Sequence, residues 1–260
     1  MSMYPSLVGK VALVTGGGRG IGRAVVEGLA ANGVSVAINA LGESAGVTAA
    51  TLEAAGHPAL ALVGDVSERG AVDAMIHAVV KKFGRLDILI NNAGLRVRTS
   101  LLDTSDDDWA RVMGVNVDAS FYATRAAALQ MITAGRGGRI INISSALAGI
   151  GLANRAAYSA SKAAMEALTR CSAIEFAPHG ITVNAVAPGS TDTDDMAALP
   201  ASFRQALGRR FALGRLARPE EIAAAVLFLA SEGGSFITGE VIHVDGGWTK
   251  LEFDYRFLES

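Results

Sequence analysis

Short apolar, β-branched runs alternate with alanine-rich helical stretches along the whole chain, and this alternation constrains the fold more than any other feature. Val11–Thr15, Val34–Asn39, Ala59–Val63, Leu86–Asn91, Arg139–Ser144, Thr182–Ala187 and Glu240–Val244 have the length and composition of strands. Between them, Arg23–Ala31, Thr48–Ala55, Ala71–Phe83, one long stretch over Asp106–Thr133, Ala157–Ala177 and a segment beginning at Pro219 read as helices. Asn32-Gly33, Gly56 and Gly84 supply helix stops, and Glu220 and Glu221 favour a helix start after Pro219. Strands that are apolar at nearly every position are buried on both faces, which requires helices on both sides of a parallel sheet. The pattern predicts an α/β fold of one domain over residues 1–260, with a doubly wound, parallel, seven-stranded sheet. The exception is 190–214, polar at first and then loosely helical, which reads as a long connection of the kind that serves as a substrate loop or lid.

Composition closes off several functions. Charged residues make up 18% of the chain and the formal net charge is -2, so there is no electrostatic grip for nucleic acid or an anionic membrane. One cysteine, Cys171, allows no intrachain disulfide framework, and Cys171 itself reads as a small buried hydrophobe. The residues from Met1 to Lys10 lack the apolar core of a secretory signal, and stretches such as Ala223–Ala230 are far short of the ~20 residues of a membrane span. A cytoplasmic protein is expected. His57, His77, His179 and His243 share no metal-ligand spacing, and no metal is expected. Asp106, Asp107 and Asp108 read as helix-start charges and Asp245-Gly246-Gly247 as a turn.

Chemistry enters at Thr15-Gly16-Gly17-Gly18-Arg19-Gly20-Ile21-Gly22, between the first strand and the first helix. Glycines let a backbone turn tightly against a pyrophosphate, and the following helix N-terminus offers free N–H groups and a positive dipole end. This is the phosphate-binding device of a Rossmann-type sheet. The spacing here is TGxxxGIG, and three further segments accompany it: Asn91-Asn92-Ala93-Gly94, Tyr158-Ser159-Ala160-Ser161-Lys162 and Pro188-Gly189. Together, in this order, they make the chain resemble the short-chain dehydrogenases/reductases from Val8 to about Trp248, with 3-oxoacyl-(acyl-carrier-protein) reductases and sugar or polyol dehydrogenases as the nearest kinds.

The residues themselves support a proton-transfer site. Hydride transfer to a carbonyl leaves an alkoxide that needs a proton, and the reverse reaction needs a base. A tyrosine titrates near 10 unless perturbed, and a nearby cation favours its phenolate. Lys162 follows Tyr158 by four positions, which places both on one helix face. The resemblance implies that Tyr158 is the acid/base, that Lys162 lowers its pKa and holds the nicotinamide ribose, and that a serine holds the substrate oxygen. Ser144 and Ser145 compete for that role; the family's usual distance of thirteen positions before the tyrosine selects Ser145. Asn116, inside a helical stretch where its amide competes for backbone bonds, matches the family's asparagine that holds a water on the proton relay.

For the cofactor, the resemblance implies contacts from Gly16, Arg19, Gly20, Ile21 and Gly22, from Asn39 after the second strand, from Asp65 and Val66 at the adenine, from Asn92, Ala93 and Gly94 along the floor, from Tyr158 and Lys162, and from Pro188, Gly189 and Thr193 at the nicotinamide. Asp65 also reads as a helix cap. A carboxylate ending the second strand would hold ribose hydroxyls and repel a 2′-phosphate; the matching position is Asn39, followed by Ala40 and Leu41. With Arg19 in the glycine turn, NADP is the expected cofactor, although NAD-specific use is open because no arginine follows the second strand.

The expected reaction is hydride transfer between NADP(H) and a small-molecule carbonyl or secondary alcohol. The alternative is a non-catalytic dinucleotide sensor or scaffold, but such relatives typically lose the tyrosine or the lysine, and both are present here. Walls for the substrate are expected from Leu95–Arg98, Ala146–Asn154 and 190–214, with Arg96 and Arg98 able to meet an anion. Ile174, where carrier-docking relatives often have an arginine, speaks against a carrier-protein substrate. The family implies a homotetramer, consistent with the apolar stretches Phe121–Met131 and Ala163–Ile174. The tail 248–260, with Trp248, Phe253, Tyr255 and Phe257, is expected to pack near the substrate entrance of its own or a neighbouring subunit.

Overall fold

The seven apolar runs pair side by side into a single parallel sheet. The computed structural model describes residues 3–250. Its strands are β1 (Val11–Val14), β2 (Ser35–Ala40), β3 (Ala59–Val63), β4 (Ile88–Asn91), β5 (Gly138–Ile143), β6 (Ile181–Pro188) and β7 (Val241–Val244), in the order β3-β2-β1-β4-β5-β6-β7. Every residue of β1, β4 and β6 is buried, as strands covered on both faces must be. On one face, α1 (Gly20–Ala31), α2 (Ser44–Ala54) and α9 (Pro219–Ala230) cover Val14, Ile38, Ile90 and Val186. On the other, α3 (Arg69–Phe83), α5 (Ala119–Ala134) and α6 (Ala156–Phe176) cover Leu13, Leu89, Ile140 and Val183. The strand order reverses between β1 and β4, so the loops after these two strands diverge and leave a crevice at their C-terminal ends, the place where such sheets bind ligands.

The long helical stretch of the sequence is not one helix. α4 (Asp106–Met113) gives way to a π turn at Gly114–Asp118 before α5 begins. Such a wide turn re-aims the side chains on either side of it and occurs frequently at functional sites. Ser105 caps α4 by accepting from the Asp108 N–H at 3.1 Å, and the three aspartates fill the first turn. Cys171 departs from expectation, because it is exposed. The buried side of α6 is taken by Ala157, Ser161, Lys162, Met165, Thr169, Ser172 and Ala173, which turns Cys171 outward.

Between β6 and α9 the chain folds into two short helices, α7 (Asp194–Ala197) and α8 (Ala201–Gly208). The segment is tied down by a Thr191–Ala217 bridge, an Arg204–Asp192 ion pair at 2.9 Å and the fully buried ring of Phe211. Phe211 packs on Trp248 with ring centroids 5.3 Å apart. The rest of the tail, 251–260, lies outside the described residues. No helix among the described residues is long and apolar enough to cross a membrane.

Candidate active site

The glycine turn and the end of β4 are locked together by side chains that the sequence places 76 to 78 positions apart. Thr15 Oγ1 accepts from the N–H groups of Asn92 (3.0 Å) and Ala93 (3.1 Å). The Asn92 amide donates in return to the carbonyls of Thr15 and Gly16, both at 2.9 Å. Gly16 and Gly20 take φ values of +62° and +53°, a left-handed conformation that costs a side-chain-bearing residue energy. Gly22 opens α1 so close to the turn that a Cβ there would run into Gly16 O and Asn92 Nδ2. Thr193 lies over the turn, with its methyl 3.2 Å from where a Cβ of Gly20 would be. Bare backbone N–H groups at a helix start, inside a cradle that tolerates no side chain, fit a pyrophosphate.

At the ends of β4 and β5 the chemistry-bearing side chains converge. Ser145 is nearly buried, and its Oγ accepts from the Leu147 N–H at 3.2 Å, which leaves its hydroxyl hydrogen for another partner. Tyr158 lies close enough for the Ser145 hydroxyl to pull its pKa down. Ser144 points elsewhere, donating to Glu166 Oε1 at 2.7 Å. Lys162 is buried; its Nζ donates to Ile143 O at 2.7 Å and lies 5.9 Å from the centre of the Tyr158 ring. A Cβ on Gly94 would lie 3.7 Å from that Nζ, so the Asn-Asn-Ala-Gly loop passes directly over the lysine. Asn116, in the π turn, is fully buried. Its Oδ1 accepts from the Leu95 N–H at 2.7 Å, and its Nδ2 donates to Leu95 O at 3.0 Å and to Ser161 Oγ at 2.8 Å. It therefore pins the loop after β4 to the helix that carries Tyr158.

Burial and charge pull the two titrating groups in different directions. Burial raises the Tyr158 phenol above its usual 10; the Ser145 hydroxyl and the charges of Arg96 and Arg155 oppose this. Burial lowers the Lys162 ammonium from 10.5 to about 8, helped by repulsion from Arg96. Desolvation is thus the largest influence on Tyr158 in the folded chain, and Ser145, Arg96 and Arg155 are the groups that oppose it. The linkage has a definite sign. Between pH ~8 and ~10.5 the unfolded chain keeps a lysine proton that the folded chain has released, so stability due to this group rises across that window. Below pH ~8 both states are protonated and the burial penalty is complete. In urea unfolding of the cofactor-free protein, wild type should gain ~3 kcal/mol relative to Lys162→Met between pH ~8 and ~10.5. Parallel stability profiles would show that the lysine keeps its normal pKa.

Other positions singled out in the sequence surround this centre. Asn39 is buried and spends both amide hydrogens on Leu62 O (3.2 Å) and Gly64 O (3.0 Å), with Gly17 N–H donating to its main-chain oxygen. Ala40 then ends the second strand without a polar side chain. Asp65 Oδ1 accepts from Ser67 N–H (2.9 Å) and Ser67 Oγ (2.7 Å), a local turn just before α3, and Val66 is buried beside it. Pro188 ends β6, and Gly189 is so tightly enclosed that a Cβ would lie 2.9 Å from both Asp245 Cα and the Phe211 ring. Arg19 is exposed and pairs with Asp195 of α7 at 3.0 Å.

Two elements escaped the sequence reading. One is a buried ladder of amides and hydroxyls under the site. Asn91 donates to Thr124 Oγ1 (3.0 Å) and Asn142 Oδ1 (2.8 Å), and Asn142 donates to Thr169 Oγ1 (2.8 Å). Asparagines within apolar strands were its only signal, since strands disfavour them; their direct opposition across β4 and β5 needs the register. The other is Arg155, whose Nη1 donates to Val97 O at 3.2 Å. Nothing local in the sequence marks it.

Comparison with known proteins agrees with this fold. The family described as enoyl-(acyl carrier protein) reductase matches residues 16–249. A 3-oxoacyl-(acyl-carrier-protein) reductase of Pseudomonas aeruginosa is 43% identical, covering 93% of this chain and 98% of its own. A cis-4-hydroxycyclohexanecarboxylate dehydrogenase of Sinomonas cyclohexanicum is 42% identical, with coverage of 93% and 97%. A solved short-chain dehydrogenase/reductase of Serratia marcescens, a double mutant, superposes with a TM-score of 0.88 at 37% identity over 94% of this chain and 99% of its own. The chain belongs to the short-chain dehydrogenase/reductase family of oxidoreductases, which bind nicotinamide dinucleotides.

Proposed function

We propose that this protein moves a hydride between NADP(H) and a small ketone or secondary alcohol, with Tyr158 as the acid/base. The observation that carries the reading is the convergence of Tyr158, Ser145 and Lys162 beside the glycine cradle at the point where the sheet reverses. The nicotinamide, when bound, supplies or accepts the hydride. Tyr158 gives a proton to the developing alkoxide, or takes one from the alcohol. Ser145 holds the same oxygen through its free hydroxyl hydrogen. Lys162 commits one N–H to Ile143 O and a weak one to Met165 Sδ, and has a third for the ribose hydroxyls or the phenolate side of Tyr158. Asn116 holds the loop over the cofactor, and its place in the π turn suits it to hold a relay water. Asp65, Val66, Asn92, Ala93, Gly94, Pro188, Gly189 and Thr193 would line the dinucleotide.

NADP is favoured because no carboxylate ends β2 and Arg19 stands at the turn. The 2′-phosphate would take the place of Asp195 as the partner of Arg19. The 190–214 segment, in contact with the glycine turn through Thr193 and Asp195, serves as the lid. The relatives' names support a substrate whose alcohol or oxo carbon belongs to a carboxylate or thioester compound. Exposed Phe121 and Leu129 on α5 and Ile174 on α6 support subunit contacts in a homotetramer, and a soluble cytoplasmic setting is consistent with a chain of this kind. Steady-state assays with NADPH and NADH should favour NADPH, and Arg19→Ala should cut that preference about tenfold by removing a charge-assisted contact. A higher kcat/KM with NADH would overturn the cofactor assignment.

A further inference from the structure

Two arginines, Arg96 and Arg155, act on Tyr158, and a third, Arg98, acts on Arg155. Arg96 and Arg98 belong to the loop after β4, and Arg155 precedes Tyr158 by three positions, one helical turn away. The loop is clamped on both sides of Arg96. Leu95 is held by the Asn116 amide at 2.7 and 3.0 Å, and Val97 O accepts from Arg155 Nη1 at 3.2 Å. The backbone of Arg96 is thereby fixed relative to the helix that carries the phenol, although its side chain is half exposed.

Two of these cations lack counter-charges. Among the described residues no carboxylate is within ion-pair distance of Arg98 or Arg155, while the acidic partner of Arg96 is Asp195, 3.8 Å away and held more closely by Arg19. The crowding is felt: Arg155 is drawn below the usual arginine range by burial first, then by repulsion from Arg98 and Arg96. Like charges gathered without an internal partner favour an incoming anion. Their planar forks match a carboxylate geometrically.

We infer that the substrate carries a carboxylate, which Arg96 and Arg155 hold while its carbonyl meets Tyr158 and Ser145. The substrate class is then a keto acid, or the corresponding hydroxy acid, with a short spacer between the acid and the reacting carbon. Asp195 is the internal carboxylate that the substrate displaces from Arg96. The inference rests on the assignment of Tyr158 as acid/base.

The test uses matched probes, each a keto acid and its primary amide: 5-oxohexanoate, 3-oxocyclohexanecarboxylate and 4-acetylbenzoate. Whichever skeleton is reduced best, kcat/KM for the acid should exceed that for the amide by about tenfold or more, the scale of a hydrogen bond to a charged group. Arg96→Gln should bring the acid-to-amide ratio close to one, through KM of the acid, and the ratio should fall with salt. Equal use of acid and amide by wild type overturns the inference and leaves the reaction assignment standing. So does an Arg96→Gln variant that lowers both equally and shifts only the pH profile, because the arginine then acts on Tyr158 alone. If no pair is turned over with either cofactor, the reaction assignment fails instead. Calorimetric titration with the same acids and amides then decides: acid-selective binding lost in Arg96→Gln supports the anion subsite, and equal affinities overturn it.

Discussion

Replacing Tyr158 with phenylalanine is expected to lower kcat by about 10²- to 10⁴-fold, the range that a positioned acid/base contributes. The ring remains, so the packing of α6 is preserved and no cavity opens. The loss is confined to one hydroxyl beside Ser145. Tyr158 is half-buried, its pKa raised by desolvation against the opposing pull of Arg96 and Arg155, and phenylalanine has no proton to give in its place. Dinucleotide affinity should change little, because the glycine cradle and Lys162 are untouched; fluorescence titration with NADPH checks this alongside turnover. A variant that keeps about a tenth or more of the wild-type kcat would remove Tyr158 from the proton-transfer role.

Gly22→Ala is expected to damage the cofactor site instead. The added Cβ would collide with Gly16 O and Asn92 Nδ2, and would lie 3.0 Å from Gly16 C. Neither obstacle can swing aside: one is backbone, and the other is anchored to Thr15 O and Gly16 O at 2.9 Å each. The turn must shift, at a cost of about 1–3 kcal/mol, and dinucleotide affinity should fall by about ten- to a hundredfold with it. Gly46→Ala, in α2 with nothing within 4 Å of a new Cβ, is the control. It should raise stability by about 0.5–1 kcal/mol through helix propensity alone. Thermal unfolding with and without NADPH separates the two glycines, and an unchanged NADPH-induced shift in Gly22→Ala would rule out the proposed cradle.

Much of the scaffold was legible because it depends on local pattern. Seven apolar runs spaced by helices leave little besides a parallel, doubly covered sheet, and the strands fall within a few residues of their expected limits. Glycines at the turn after β1 were readable because only they tolerate the positive φ values and the close approach of α1. The π turn was not legible: the run from Asp106 to Thr133 has helical composition throughout, and only the contact of Asn116 with Leu95 and Ser161 shows why the helix widens there. Cys171 misled for a similar reason, since residue type says what is usually buried but not which way a helix faces.

The sequence by itself determined the order of elements, the parallel sheet and the residue types brought to its C-terminal edge, because periodicity and motif spacing are properties of neighbours along the chain. Tertiary structure alone decided the rest. It placed Asn91 against Asn142, stapled Asn92 to Thr15, closed Asp195 onto Arg19, and brought Arg96 and Arg155 near Tyr158 with Arg98 near Arg155. Desolvation and long-range charge set how Tyr158 and Lys162 titrate, and both depend on which distant segments the fold packs around them.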